Sequence, residues 1–173
     1  MKKVEKNNSE YIIFYLKGYG NPVPGAESAG HNILKSIINS SDYKIIIISD
    51  QKAKKTSDEI LYKHKILPIN IPILNFIINN FFASRIIKKL SQIYSPKLIH
   101  IQGYAGYYPI ISSNSKTLLT LHDDPSIMIF DKARRDPLKY FEFFWYEFIR
   151  FSIFKAIKNY DFFQAWSSRI KVI

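Results

Sequence analysis

Apolar residues along the chain fall into two kinds of pattern: short β-branched runs, and longer stretches with apolar positions every three or four residues. Tyr11 to Leu16 is the first short run and stops at Gly18-Tyr-Gly20-Asn-Pro-Val-Pro-Gly25, a dense cluster of turn formers, which predicts a strand feeding a loop. From Ala26 onward Ala29, Ile33, Leu34, Ile37 and Ile38 recur at helical spacing, with polar Ser28, His31, Asn32 and Lys35 between them. Tyr43 to Ile48 lacks alternation, as a strand covered on both faces would. Ile60 to Ile69 is a weaker third strand.

Pro72 suits the first turn of a long helix to about Tyr94, with Leu74, Ile77, Ile78, Phe81, Phe82, Ile86, Leu90 and Ile93 as its apolar side. Lys97 to Gln102 and Lys116 to Leu121 read as strands, the first ending at Gly103 and the second at His122-Asp-Asp-Pro125, with a short helix between them. Leu138 to Ile157 reads as a helix, and Tyr160 to Trp166 as a last strand stopping at Ser167-Ser168. This alternation predicts an α/β fold, a Rossmann-like and mainly parallel sheet with helices on both faces, formed by residues 1–173 as one domain. Ligands of such sheets bind beyond the carboxyl ends of the strands, so the loops at 18–27, 103–108, 122–125 and 167–168 are the places to look.

Composition narrows the chemistry. Of 173 residues 47% are apolar, enough for a real core, and the charge is 25 − 14 = +11. The basic excess predicts an anionic partner: nucleic acid, a phospholipid surface or a phosphorylated substrate. Nucleic acid is the poorest fit, since no helix-turn-helix, zinc-finger or ribonucleoprotein motif is present. Absence of cysteine excludes disulfides, thiolate metal sites and cysteine nucleophiles. The first apolar run is too short for a signal peptide. The stretches 71–82 and 138–157 are too short or too charged for a span of about 20 apolar residues. A cytoplasmic protein, peripheral on the inner face of a membrane at most, is expected.

A glycine-rich turn opening a helix offers backbone N–H groups and the positive end of a helix dipole, so Gly18, Gly20 and Gly25 suit either an anion cradle or a plain tight turn. The dinucleotide fingerprint fails at Val23, and no triphosphate loop follows. His122, just past a strand, offers a neutral imidazole to a sugar hydroxyl or a protonated one to a phosphate. Asp123 and Asp124 diverge in extended chain, so no metal site is predicted, and Asp124-Pro125 is also an ordinary turn opening. His100 and Gln102 share one strand face, where His100 reads as a buried, satisfied histidine. His31 and His64 belong to no constellation.

These loops resemble the N-terminal domain of GT-B glycosyltransferases, particularly the large retaining family that includes many lipopolysaccharide, exopolysaccharide and phosphoinositol mannosyl transferases. Pro22-Val-Pro-Gly25-Ala-Glu27 is similar to its Pro-x-x-Gly-Gly-x-Glu loop. Lys97-Leu-Ile-His100-Ile-Gln-Gly103, Leu118-Leu-Thr-Leu-His122-Asp123 and Tyr160-Asp161-Phe-Phe-Gln-Ala-Trp-Ser167 are similar to three later motifs of that family, in the same order. The resemblance implies His122 as the catalytic-site histidine near the transferred sugar or acceptor. It also implies Gly20, Pro24, Gly25, Glu27, Gly103, Tyr104, Asp123 and Ser167 as substrate-binding positions. It implies no cofactor beyond the nucleoside-diphosphate sugar donor, and a sugar or lipid-linked acceptor. Two departures stand out: one glycine of the first loop is Pro24, and Gln102 replaces the second histidine of the His-x-His-Gly motif.

The family carries its nucleotide-sugar site mainly in a second domain with two glutamates separated by seven intervening residues, whereas Glu142 and Glu147 here are separated by four. The chain stops soon after Ser167-Ser168, where the linker to that domain would begin, so an acceptor-binding half working with a C-terminal domain in cis or in trans is expected. The alternative is a non-enzymatic basic module. Arg85, Lys88 and Lys89 beside Phe81, Phe82 and Ile86 suit either an anionic bilayer or partner surface, or a core helix with a solvated basic side. Aromatic residues from Tyr140 to Phe154 surround their helix more fully than one core face requires, which points to a further contact surface.

Overall fold

The computed structural model describes residues 10–16, 19, 26–49, 59–63, 72–102, 115–122, 147, 151 and 157–165. In chain order they form β1 (Tyr11–Tyr15), α1 (Ala26–Ser40), β2 (Lys44–Ser49), β3 (Glu59–Lys63), α2 (Pro72–Tyr94), β4 (Leu98–Gln102), β5 (Lys116–Leu121) and β6 (Phe162–Ala165). The strands make one sheet in the order β3-β2-β1-β4-β5-β6, and every neighbouring pair is parallel. This is the doubly wound Rossmann order, with a switch point between β1 and β4 where the chain reverses its direction of travel across the sheet.

The absence of alternation in the first two strands has the expected cause, because both faces are covered. Ile13, Phe14, Ile46, Ile47 and Ile48 have no exposed surface, and each such burial contributes roughly 1.5–3 kcal/mol. Odd and even positions divide between two cores. Phe14, Leu16, Ile45 and Ile47 pack with Leu34, Ile33, Ile37 and Ile38 of α1. Ile13, Tyr15, Ile46, Ile48, Ile99, Ile101, Leu119 and Leu121 pack with Ala83, Ile87 and Leu90 of α2 on the other face. The two helices therefore lie on opposite faces, as the alternating order requires.

Helix α2 begins at Pro72, where a missing N–H costs nothing, and ends in a left-handed residue, Ser95 at φ 47°. The Ser95 N–H donates to Ser91 O at 2.9 Å, and Pro96 prevents continuation. β3 begins one residue before the predicted 60–69, of which 64–69 lie outside the described residues, and β6 takes four residues of the predicted 160–166, of which Trp166 lies outside them. Tyr160 is excluded because its N–H turns to Ile157 O at 3.0 Å, and Asp161 because its N–H donates to Thr117 Oγ1 at 3.0 Å. The predicted short helix between β4 and β5 lies outside the described residues. Of the predicted 138–157 helix they include Glu147, Phe151 and Ile157, each helical.

Candidate functional site

The parallel register brings the carboxyl ends of β1, β4, β5 and β6 to one edge of the sheet, beside the switch point. Phe14 pairs with His100, His100 with Leu118, Gln102 with Thr120, and Thr120 with Gln164. Strand alternation therefore places His100, Gln102, Thr120, His122 and Gln164 on the α1 side, in continuation of the apolar row Phe14, Leu16, Ile45, Ile47.

These five residues are joined by hydrogen-bond contacts. His100 Nε2 lies 2.8 Å from Thr120 Oγ1 and 3.1 Å from Gln102 Nε2. Gln102 Oε1 meets His122 Nε2, and Thr120 Oγ1 lies 3.3 Å from Gln164 Oε1. His100, Gln102 and Thr120 are buried, so this pairing removes what would otherwise be a desolvation penalty of about 1–3 kcal/mol per group. His100 is further fixed by the edge of Phe14, with ring centroids 4.5 Å apart. The reading of His100 as a buried and satisfied histidine holds.

Burial, helped by the neighbouring His122, pushes the His100 imidazole down to about 4. Burial alone also lowers His122, which is half-buried. Both rings are thus neutral at neutral pH, which leaves His122 suited to hydrogen bonding or proton acceptance rather than to meeting a phosphate as a fixed cation.

Two anchors shape the approach to this edge. Tyr19, in the loop after β1, donates its N–H to Ser49 Oγ at 3.0 Å and stacks on His31 of α1 with centroids 4.8 Å apart and planes within 6°. Gly30 is buried in the middle of α1. A Cβ built there would lie 2.6 Å from Leu16 Cδ1 and 3.5 Å from Gln102 Cγ and Cδ. Any larger residue here would have to displace the end of the buried Leu16 side chain, while the Gln102 side chain lies at ordinary contact distance.

The structure brings His122 together with His100 and Gln102. Gly20, Pro24, Gly25, Gly103, Tyr104, Asp123 and Ser167 lie outside the described residues, and Glu27 is placed only by its backbone in the first turn of α1. Arg85, Lys88 and Lys89 are exposed on α2, on the opposite face of the sheet from His122, and so form a separate surface. The sequence reading missed Gly30, Thr120 and Gln164, and it set Gln102 on the face of His100 and noted it as a departure from a motif without giving it a role. The available signal was polar residues at alternate positions near the ends of apolar strands.

No protein-family model and no curated protein matches the chain. Among the described residues no group of three or more histidine, aspartate or glutamate side chains is placed to hold a metal ion. No helix among them is long and apolar enough to cross a membrane.

Proposed function

We propose that the chain is the N-terminal, acceptor-binding half of a GT-B glycosyltransferase, acting with a second nucleotide-sugar-binding domain to move a sugar from a nucleoside-diphosphate sugar to a sugar or lipid-linked acceptor in the cytoplasm. One observation carries this reading: a neutral, half-buried His122 stands at the carboxyl edge of a doubly wound sheet, beside the switch point, held from behind by a buried amide. Neutral imidazole, amide and hydroxyl groups suit hydroxyl-rich ligands. The donor diphosphate would be met mainly by N–H groups of the glycine loop and by the second domain. Saturation-transfer NMR with UDP-glucose, GDP-mannose and the corresponding free hexoses tests it. Saturation of sugar protons that is lost in His122→Ala is the expected result, and silence across the whole panel would sink the reading.

The outer face of α2 favours a second, separate role at an anionic membrane surface. Phe81, Phe82 and Ile93 are 44%, 39% and 59% exposed, on the same face as exposed Arg85, Lys88 and Lys89, and the Arg85 guanidinium sits 5.5 Å from the Phe81 ring centre. From residue 60 to residue 122 the chain has Lys63, Lys65, Arg85, Lys88, Lys89, Lys97 and Lys116 but no acidic residue, so +7 of the +11 resides there. Flotation with phosphatidylglycerol vesicles should show binding that high salt weakens and that replacement of all three α2 cations by glutamate removes. Salt-insensitive or absent flotation would dismiss this role.

A further inference from the structure

On the α1 side of the sheet one amide touches two imidazoles. Gln102 Nε2 lies 3.1 Å from His100 Nε2, while Gln102 Oε1 meets His122 Nε2. A primary amide has one donor end and one acceptor end, and a neutral imidazole carries its proton on one nitrogen only. The ring facing the amide oxygen must therefore be protonated at Nε2, and the ring facing the amide nitrogen at Nδ1. Turning the amide over exchanges the roles of the two rings but preserves the difference between them.

We propose that Gln102 is a positioning residue that locks His100 and His122 in opposite tautomers, so that the proton position on the buried ring dictates which nitrogen of His122 donates. Several contacts keep the lock rigid. Gln102 is 4% exposed and lies in a strand paired on both sides, with its side-chain carbons against the Gly30 position. His100 is held by the Phe14 edge and by Thr120 Oγ1 at 2.8 Å, whose single proton goes to His100 Nε2 when that nitrogen holds the lone pair and to Gln164 Oε1 when that nitrogen carries the proton. In the amide orientation of the structure, His122 donates from Nε2, so its Nδ1 holds the lone pair and acts as an acceptor. A shift of the His100 proton from Nδ1 to Nε2 turns the amide and reverses His122. The role at a ligand hydroxyl rests on the glycosyltransferase reading, whereas the lock itself does not.

Long-range proton–nitrogen NMR of the imidazole rings in the intact chain tests the lock directly. At neutral pH one of His100 and His122 should show the Nε2–H pattern and the other the Nδ1–H pattern. The same tautomer in both rings, or fast averaging in both, overturns the proposal. In Gln102→Glu a carboxylate accepts from both rings, so both should become Nε2–H and both should titrate at higher pH than in the wild type. In Gln102→Leu the His122 pattern should relax to a mixture. A His122 pattern that stays unchanged in folded Gln102→Leu, or a ring that stays Nδ1–H in folded Gln102→Glu, also overturns it. The wild-type spectrum decides the matter even where a variant fails to fold, and loss of sugar binding would leave these patterns untouched, so the two readings fail separately.

Discussion

Two halves of the same sheet face show the α1 side solving opposite problems. β1 and β2 present Phe14, Leu16, Ile45 and Ile47, packed against Leu34 and its neighbours, while β4, β5 and β6 present His100, Gln102, Thr120, His122 and Gln164, bonded to one another. In the apolar half any set of side chains with the right volume would serve, since burial is nondirectional. In the polar half each buried donor and acceptor needs its particular partner, and removing one strands another. A polar cluster is an expensive way to fill a core, so its place at the carboxyl edge beside the switch point is where a ligand-directed use of those groups is expected.

The sharpest contrast comes from truncating the apolar half. Ile47→Ala should cost about 2–5 kcal/mol in urea unfolding, because Ile47 is fully enclosed and the cavity cannot collapse between sheet and helix. The same variant should leave the NMR signals of His122 in place. The polar half should instead show itself as pH dependence. The unfolded chain takes a proton on His100 below its ordinary value near 6.5, whereas the native chain resists it down to about 4. Unfolded chain thus binds more protons in that window, so stability should fall on acidification from about pH 6.5 to about pH 4, by roughly 3 kcal/mol in total. His122, also lowered, adds in the same direction. His100→Leu should flatten that slope, and a slope that persists in full would place its origin elsewhere.

Gly30 joins the two halves and gives the next effect. Alanine is the better helix former by about 1 kcal/mol, yet its Cβ would stand 2.6 Å from Leu16 Cδ1, a side chain only 2% exposed. Overpacking of about 1–3 kcal/mol should outweigh the helical gain. Gly30→Ala should therefore lower the unfolding midpoint and also shift the His122 ring signals, since the new methyl comes into contact with Gln102. A stabilised variant with unmoved histidine signals would show that the helix has room to lift.

Much of the fold was legible because its signals are local. The unbroken run at Ile45–Ile48 announced a strand buried on both faces, and Pro72 announced the start of α2. The site was legible only in part. His122 was found from its place after a strand, and the same-face relation of His100 and Gln102 follows from the two-residue repeat within one strand. Their junction with Thr120 and Gln164 depends on strand order and register, which no local pattern encodes. Gly30 stands one turn before Leu34 on the apolar side of the helix, but nothing in the sequence tells how closely that side approaches the sheet.

The opposite end of β5 gives the smallest effect and the cleanest control. Asp161 Oδ2 accepts from the Thr117 N–H and from Thr117 Oγ1, each at 2.9 Å, and its other oxygen lies 3.1 Å from Lys116 Nζ. Lys116 first, then Thr117, holds this carboxyl below the usual carboxylate range. The stability it supplies is present above its unfolded value of 3.8 and is lost as pH falls through its lower native value, a window beneath that of His100. Asp161→Asn keeps one acceptor oxygen but turns an amide toward Lys116 or Thr117, so the unfolding midpoint should drop slightly, and less so in high salt because the ion pair is exposed. The acid slope between about pH 6.5 and about pH 4 should remain, since it belongs to the buried histidine. Were that slope to vanish in Asp161→Asn, the carboxyl-edge network would lose its claim to the pH response, and the charged amino edge would own it.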